Sequence, residues 1–253
     1  MVKLANNKLS VSQNTLSIIL GSILGDGCLK KYAGYKNARL SIRQSMKQVE
    51  YFMYKVKALA EISTEKSVQI VKPDKLRFGQ TNSYLYQSAS LPDLTHIYEY
   101  CYGKSNRLKI QRRWLNKITP LALCIWWLDD GSIISNGRKG VICTDGFDLE
   151  GVKKLARFLQ VNYNINVTIG NVNKVYKNTS KTYHRLYLNT SELKKLLTLI
   201  LPYFPVKEML YKGMIRYDSA ELQQRWISEM NNLLPPFSKK NTENDIVPLF
   251  YKT

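Results

Sequence analysis

Two apolar runs with the same ending stand out along the chain. The first, at 18–27, is IILGSILGDG, and the second, at 121–131, is LALCIWWLDDG. Each is almost wholly apolar, is interrupted by small residues, and ends with an aspartate next to a glycine. Such continuous apolarity predicts two buried helices. Each helix would carry a carboxylate at its C-terminal end, where a negative charge opposes the helix dipole.

The segments that follow each run show the same alternation of polar and apolar positions. In the first half, a period of two predicts a strand at 38–45. Helical spacing predicts a helix at 47–61, whose apolar positions are Val49, Phe52, Met53, Val56 and Ala60. In the second half, the matching elements are a strand at 140–147 and helices at 149–163 and 191–204. Each half is therefore predicted to be α-β-β-α-β-β-α.

Matching positions keep almost constant spacing between the halves. Asp26 and Asp130 are 104 residues apart, and Lys109 and Lys212 are 103 apart. The chain is therefore predicted to be an internal duplication. Its repeats span 8–116 and 117–218, and 219–253 form a C-terminal extension that contains proline and asparagine.

Small residues in the two apolar runs predict that the helices pack closely. Gly21 and Gly25 are four residues apart, so they share one helix face. Each glycine costs a helix interior about 1 kcal/mol relative to alanine, and close approach of another backbone compensates for that cost. The partner predicted is the second run, where Ala122 and Cys124 are small.

Paired helices would bring two carboxylates together. Two nearby carboxylates repel each other unless a cation intervenes, and Mg²⁺ prefers such oxygen ligands. Metal ions held by carboxylates next to a phosphate hydrolyse phosphodiesters. The alternative for a single Asp-Gly ending is a helix cap with a left-handed glycine. We expect Trp126 and Trp127 to anchor the core.

The charge balance favours a polyanionic partner. Lys and Arg total 38 against 19 acidic residues, which gives a net charge of +19. Nucleic acid is the favoured partner and an anionic membrane surface the alternative. No apolar stretch has the roughly 18 residues that span a bilayer. The four cysteines have no paired spacing, and we expect them to be reduced. The two histidines lie in unrelated surroundings, which argues against hydrolases built on paired histidines.

The paired runs resemble the signature helices of single-chain LAGLIDADG homing endonucleases, whose nine-letter motif matches 19–27 and 123–131. The resemblance implies an α+β fold of two pseudo-symmetric αββαββα repeats, packed through the two motif helices, with antiparallel sheets that form a DNA-binding saddle. It also implies a monomer that cuts both strands of a long asymmetric target and leaves short 3′ overhangs. The implied cofactor is Mg²⁺, which Mn²⁺ or Ca²⁺ replaces in binding.

The resemblance also implies site residues. Asp26 and Asp130 are the expected metal-binding acids, and Gly25 and Asp129 adjoin them, with Asp129 in a secondary role. Lys109 and Lys212 are expected to assist the scissile phosphates, with solvated charges or backbone phosphate contacts as the alternative. Gln44 matches a polar position that orders metal-bound water.

Two positions depart from the family pattern. Asp145 stands where relatives have glutamine, and it would either recruit metal or cap the turn at Gly146. Ile125 replaces a small motif residue, which predicts looser helix packing.

Polar and basic residues on the predicted strands are the candidates for DNA recognition, since such side chains read base edges and a β-ribbon fits the major groove. The alternative is an ordinary solvated sheet face. The candidates are Arg39, Ser41, Arg43, Arg77, Gln80, Asn82, Tyr84, Asn171, Asn173, Lys177, Lys181, Tyr183, Arg185 and Tyr187.

The sequence is consistent with three functions. The favoured one is a site-specific double-strand DNA endonuclease of the intron- or intein-homing type, whose target is the site that the intron or intein interrupts. The alternatives are an RNA maturase that assists splicing of a group I intron, with intron RNA as its partner, and a nuclease-dead DNA-binding protein of the same fold. The start of the chain has no secretory or Arg-rich targeting pattern. We therefore expect a gene in a mitochondrial or chloroplast genome, with a microbial cytoplasm as the alternative.

Overall fold

A computed structural model of the protein describes residues 2–4, 7–73, 81–103, 106–176 and 179–235. The chain divides into two compact units. The first comprises Met1–Lys109 with Leu121–Asp129, and the second comprises Ile110–Pro120 with Asp130–Thr253. Each unit contains one four-stranded antiparallel sheet. The predicted α+β class and the predicted element order of each half are confirmed, whereas the repeat boundaries at 116 and 218 stay a prediction.

The first unit begins with a short hairpin and then follows the predicted order. Its elements are β1 (Val2–Leu4), β2 (Asn7–Leu9), α1 (Gln13–Leu24), β3 (Gly27–Lys30), β4 (Arg39–Ser45), α2 (Val49–Ala58), β5 (Val68–Val71), β6 (Ser83–Gln87) and α3 (Pro92–Tyr102). The strands of its sheet run in the order β3-β4-β6-β5. The first strand of this order, β3, begins at Gly27, the last residue of the first motif.

The second unit repeats this arrangement and adds a helix after it. The helices and strands that follow α3 along the chain are α4 (Arg112–Leu115), α5 (Pro120–Asp130), β7 (Gly131–Ile134), β8 (Lys139–Ile142), α6 (Leu149–Tyr163), β9 (Thr168–Tyr176), β10 (Thr179–Leu188), α7 (Thr190–Ile200) and α8 (Ala220–Leu233). Its sheet has the order β7-β8-β10-β9. Most of α5, from Leu121 to Asp129, packs in the first unit.

Side-chain caps explain where the longer helices start. Ser12 accepts a hydrogen bond from the Thr15 amide at the start of α1, and Asp148 accepts one from the Gly151 amide at the start of α6. Asn189 caps α7 in the same way. Each cap satisfies a backbone donor that has no partner inside its helix.

Helices cover one face of each sheet and leave the other face open. In the first unit, Leu40, Ile42 and Tyr86 are buried on the covered face. In the second unit, Leu186 and Leu188 are buried on the face against which α6 and α7 pack. Because side chains alternate along a strand, the intervening residues of β4 and β10 lie on the open faces.

The buried side of α2 differs from the predicted one. Phe52 is fully buried as predicted, but Val49 and Met53 are 40% and 49% exposed. The buried positions next to Phe52 are Tyr51 and Lys55. A hydrophobicity pattern excludes lysine from a core, and so the predicted apolar face was rotated away from the true one.

Part of the C-terminal extension is a helix that the sequence analysis did not predict. Ser219 caps α8, and Trp226 and Met230 are fully buried. The Trp226 indole donates a hydrogen bond to the Gly213 carbonyl at 3.2 Å. Residues 236–253 lie outside the described chain.

Two other sequence predictions about the core are confirmed. All four cysteines are free, and Trp126 and Trp127 are fully buried. Within the described ranges, none of the helices is long and apolar enough to cross a membrane.

Helices α1 and α5 touch at Gly21, as the small residues predicted. A Cβ atom on Gly21 would lie 2.4 Å from the Ala122 carbonyl oxygen and 2.7 Å from the Ile125 Cβ. Ile125 is fully buried against this glycine, so the expectation that it loosens the packing is wrong. The glycine compensates for the larger residue on the partner helix.

We expect Gly21→Ala to destabilise the protein. The added methyl group meets a backbone oxygen that cannot move by itself, and overpacking of this kind costs about 1–3 kcal/mol. Chemical denaturation measures the change. The matched control is Gly146→Ala, because a Cβ there meets nothing within 4 Å. Equal stability of the two variants would contradict this account of the contact.

Candidate functional site

The first motif places Asp26 immediately beyond the end of α1, where it is exposed. The helix ends at Leu24, and the Gly25 amide donates to the carbonyls of Gly21 and Ser22. Gly25 has φ −110° and ψ −122°, which is not the left-handed conformation of a common glycine cap. Gly27, the glycine of the Asp-Gly ending, does not have a positive φ either, so the left-handed cap expected as the alternative is absent from this ending.

Close packing explains Gly25 instead. A Cβ on Gly25 would lie 2.4 Å from the Cβ of Asp129 and 2.9 Å from its Oδ2. The Asp26 amide donates a hydrogen bond to the same Oδ2 at 3.3 Å. The glycine thus lets the Asp129 carboxylate reach the backbone that carries Asp26.

Asp129 belongs to a buried charge cluster with Lys55 and Tyr51. The Lys55 ammonium lies 2.6 Å from Asp129 Oδ1, and both side chains are almost fully buried. The Tyr51 hydroxyl donates to the same oxygen at 2.9 Å. The Lys55 ammonium also lies 4.4 Å from the centre of the Tyr51 ring. Asp129 was predicted as a secondary metal-site residue, and the structure gives its carboxylate these protein partners.

Burial raises the pKa of the Tyr51 hydroxyl well above its usual value of 10, and the Asp129 carboxylate raises it further. The hydroxyl therefore stays protonated at neutral pH and can donate to Asp129. Sequence reasoning missed both Tyr51 and Lys55. A lysine four residues after a tyrosine on a predicted helix is the one available signal, because it places an ammonium beside an aromatic ring.

Asp26 and Gln44 line one cavity of about 320 Å³ in the first unit. Gln44 is only 3% exposed, and its Nε2 donates to Gln48 Oε1 at 3.2 Å. The Gln44 Oε1 is buried and accepts no hydrogen bond within the described chain. Arg43 and Lys72 contribute positive charge to the same cavity.

This donor set fits a hard divalent cation. Asp26 offers carboxylate oxygens and Gln44 an unsatisfied amide oxygen, and Mg²⁺ binds such oxygens while keeping several waters. Across the described residues, no group of three or more His, Cys, Asp and Glu side chains is placed to hold a metal. A metal here would therefore depend on few protein ligands and on water.

The remaining candidate catalytic residues lie in different surroundings. Asp130 is the last residue of α5, and its carbonyl accepts a hydrogen bond from the Cys143 amide at 3.0 Å. Lys109 is exposed. Lys212 is only 7% exposed and lies in a 3-10 segment, Lys207–Gly213. The predicted roles of these residues stay predictions.

Asp145, which departs from the family pattern, is neutralised by cations of its own sheet. Arg185 donates through Nε to Oδ1 at 2.7 Å and through Nη2 to Oδ2 at 2.6 Å. Lys174 donates to Oδ2 at 2.9 Å. The hydrogen bonds from Arg185 are the main reason why the pKa of the Asp145 carboxyl is lowered. These contacts give the carboxylate a role that neither sequence alternative anticipated.

In the first unit, the open face of the sheet carries three of the predicted recognition residues. Arg39, Ser41 and Arg43 alternate along β4, and Ser41 pairs across with Gln87 on β6. Tyr84 lies on the opposite, covered face, where its ring stacks on Phe52 with 4.8 Å between the centroids. Asn82 is exposed just before β6.

In the second unit, four predicted residues share the open face of β10: Lys181, Tyr183, Arg185 and Tyr187. The face also carries a residue that sequence reasoning missed, Lys174, which pairs with Lys181 in the strand register. The ammonium groups of these two lysines lie 5.1 and 4.9 Å from the centre of the Tyr183 ring.

Asn171 and Asn173 lie on the other face of the same hairpin. Asn171 Oδ1 is 2.8 Å from His184 Nδ1, and Asn173 Oδ1 accepts from the Thr182 hydroxyl at 2.8 Å. The hairpin register separates these amides from the basic residues, because side chains alternate across a strand. The candidates Arg77, Gln80 and Lys177 lie outside the described residues.

Comparison with known proteins identifies relatives that include an mRNA maturase and a DNA endonuclease. The cytochrome b mRNA maturase bI2 of Saccharomyces cerevisiae is 31% identical over 214 residues, which are 82% of this chain and 49% of that protein. The DNA endonuclease I-ChuI of Chlamydomonas applanata is 21% identical over 173 residues, which are 64% of this chain and 78% of that protein. The chain thus spans about half the length of the yeast relative.

A solved structure supports the fold. The homing endonuclease I-WcaI bound to its DNA recognition sequence matches with a TM-score of 0.67 and 22% identity, over 83% of this chain and 90% of that one.

The family model described as the LAGLIDADG DNA endonuclease family matches residues 16–196. This match begins within α1 and extends into α7, so it includes both motif helices and both sheets. The chain therefore belongs to the LAGLIDADG DNA endonuclease family.

Proposed function

We propose that the protein is a site-specific DNA endonuclease that hydrolyses phosphodiesters in both strands of a long target with the help of Mg²⁺. The observation that carries the proposal is the cavity that Asp26 and Gln44 line together, where the buried Oε1 of Gln44 has no hydrogen-bond partner within the described chain. Membership in a DNA endonuclease family supports the reaction class. The net charge of +19 supports a polyanionic substrate.

The proposed roles divide between metal binding and phosphate binding. Asp26 and Asp130 would each supply a carboxylate to the divalent cation, which would polarise the phosphoryl oxygen and lower the pKa of a water molecule. Gln44 orients that water through its amide. Lys109 and Lys212 stabilise charge that develops on the phosphate.

Asp129 acts on this site as a positioning residue. Its Oδ2 accepts the hydrogen bond from the Asp26 amide, while Lys55 and Tyr51 hold its Oδ1. A carboxylate fixed by two buried partners cannot rotate freely. It therefore restrains the backbone from which the Asp26 side chain projects.

The open sheet faces are the proposed DNA contacts. Arg39 and Arg43 in the first unit, with Lys181 and Tyr183 in the second, present the cations and hydrogen-bonding groups that bind phosphates and base edges. Arg185 is held in a fixed orientation by Asp145. The two units differ in sequence, which favours an asymmetric target.

RNA maturation is a second candidate function, alone or beside cleavage. The observation in its favour is the 31% identity with a cytochrome b mRNA maturase. The same relative supports the proposal that the gene is carried by an organelle genome. Retention of an acid in both motif copies favours the endonuclease, since binding alone needs no carboxylate at either position.

We expect Asp26→Asn and Asp130→Asn to abolish double-strand cleavage while DNA binding persists. Loss of a ligand to the cation removes stabilisation of the transition state, so the rate should fall at least ~100-fold. The measurement is cleavage of a duplex that spans the insertion site of the gene, with binding measured in parallel. Asp218→Asn is the control, because this carboxylate is exposed and pairs only at the surface with Arg138. Full cleavage by either motif variant, or by the wild type in excess EDTA, would contradict the metal-carboxylate mechanism.

The positioning role of Asp129 is tested by removing its partner and then the whole pair. Lys55→Met should lower the free energy of unfolding by about 3–5 kcal/mol, because it leaves a buried carboxylate without its ammonium. Lys55→Met/Asp129→Leu should recover much of that loss, since an apolar pair replaces an ionic one. The double variant should nevertheless need about 10-fold more Mg²⁺ for half-maximal cleavage, as is typical when a supporting contact of a metal ligand is lost. Wild-type Mg²⁺ dependence in the recovered double variant would mean that the pair serves stability alone.

A further inference from the structure

A second basic site lies on the helical side of the second unit. A cavity of about 400 Å³ opens between the α4 segment and α6. Its lining is Gln111, Arg112, Leu115 and Asn116 from the first, and Lys154, Arg157, Phe158, Val161 and Asn162 from the second. The roles proposed above use none of these residues.

Helical spacing gives α6 two different faces, one that packs on the sheet and one that lines the cavity. Val152, Leu155 and Leu159 are fully buried, and the helix packs on β9 and β10. Lys154, Arg157 and Val161 follow one another at intervals of three and four residues, so they share a different stripe of the helix. The cavity therefore lies on the helix side of this sheet, away from the open face that carries Lys181 and Arg185.

The positive charge of this cavity is not balanced by any acidic side chain in its lining. Arg112, Lys154 and Arg157 are exposed, and the lining contains no carboxylate. No ion pair to any of these three cations occurs within the described ranges. Neighbouring Lys153 differs, because it pairs with Glu150 at 2.7 Å. Three cations around a cavity whose lining has no carboxylate repel one another, and an anionic ligand would relieve that repulsion.

The floor of the cavity is apolar. Its apolar lining residues are Leu115 and Phe158, which are almost fully buried, and Val161, which is 62% exposed. Asn116 and Asn162 add side-chain amides, which both donate and accept hydrogen bonds. An apolar floor with amides and a cationic rim suits a ligand that has a flat ring, polar edges and a phosphate.

We propose that this cavity binds an unpaired nucleotide of single-stranded RNA, with the base on the apolar floor and the adjoining phosphates on Arg112, Lys154 and Arg157. Duplex DNA fits poorly, because its bases are stacked and paired and cannot enter a pocket. Unstacked RNA bases are recognised in this way, by stacking and by contacts to their edges. The inference rests on the second candidate function, RNA maturation, and gives that function a binding site separate from the open sheet faces.

Binding of the full chain to a fluorescent 12-nucleotide oligouridine tests the proposal, with a duplex DNA of unrelated sequence measured alongside. Arg112→Ala/Arg157→Ala should weaken oligouridine binding about 10-fold or more and leave duplex affinity unchanged. The slope of log affinity against log salt should become shallower by roughly 1.4, since each phosphate contact to a single strand contributes about 0.7. Val161→Glu, which adds a negative charge at the rim, should weaken oligouridine binding in the same selective way. Lys153→Ala is the matched control on the same helix and should bind like the wild type.

The outcomes separate the site from the function. A wild-type chain that binds no oligouridine contradicts the single-stranded RNA site, and RNA maturation itself is contradicted only if the chain also fails to bind the folded intron RNA. Wild-type binding that the cavity variants leave intact contradicts the cavity alone, as does an equal loss of duplex affinity. An equal loss with oligothymidine of the same length overturns the assignment to RNA. None of these measurements depends on DNA cleavage, so a failure here leaves the endonuclease proposal untouched.

Discussion

The structure of the first unit depends on the close contact between α1 and α5. Gly21 and Gly25 lack the side chains that would collide with Ala122, Ile125 and Asp129. This contact brings the buried Asp129 carboxylate to the Asp26 amide. Asp129 lies near the C-terminal end of α5, where the helix dipole disfavours a negative charge, and it is part of the packing between the two helices. The same packing positions the backbone of Asp26, the candidate metal ligand. Gly21 costs α1 helix stability, but together with Gly25 it lets the partner helix approach the segment that ends in Asp26.

Much of this organisation was predictable from the sequence. The repeated element order, the Gly21 contact and the burial of Trp126 and Trp127 all follow from hydrophobic periodicity and residue size. The role of Lys55 does not, because hydrophobicity patterns treat lysine as a surface residue, and only its buried partner Asp129 explains its place. The sequence also could not predict on which face of its sheet Tyr84 or Asn171 lies, because that depends on the register of the paired strands. A shift of one residue moves every side chain to the other face of the sheet.

The excess of positive charge is distributed over surfaces of different character. On the open face of the second sheet, Lys174 and Lys181 flank Tyr183, and Asp145 holds Arg185 in place. Such fixed, partly neutralised cations suit a rigid partner whose contacts are specific. The cations around the α4–α6 cavity have no acidic partner among the described residues and surround an apolar floor. The chain is similar both to a DNA endonuclease and to an mRNA maturase, and the two surfaces are the ones that we propose for duplex DNA and for RNA.

Asp26, held in place by Asp129, is the residue that we propose binds the catalytic cation. Anomalous diffraction from crystals of the chain with its duplex target and Mn²⁺ tests it most directly. We expect a manganese peak in contact with the Asp26 carboxylate, close to Gln44, while Asp129 keeps its contacts with Lys55 and Tyr51. A peak on Asp129 with Lys55 displaced, or no peak beside Asp26 in a complex that cleaves its DNA, would contradict the account.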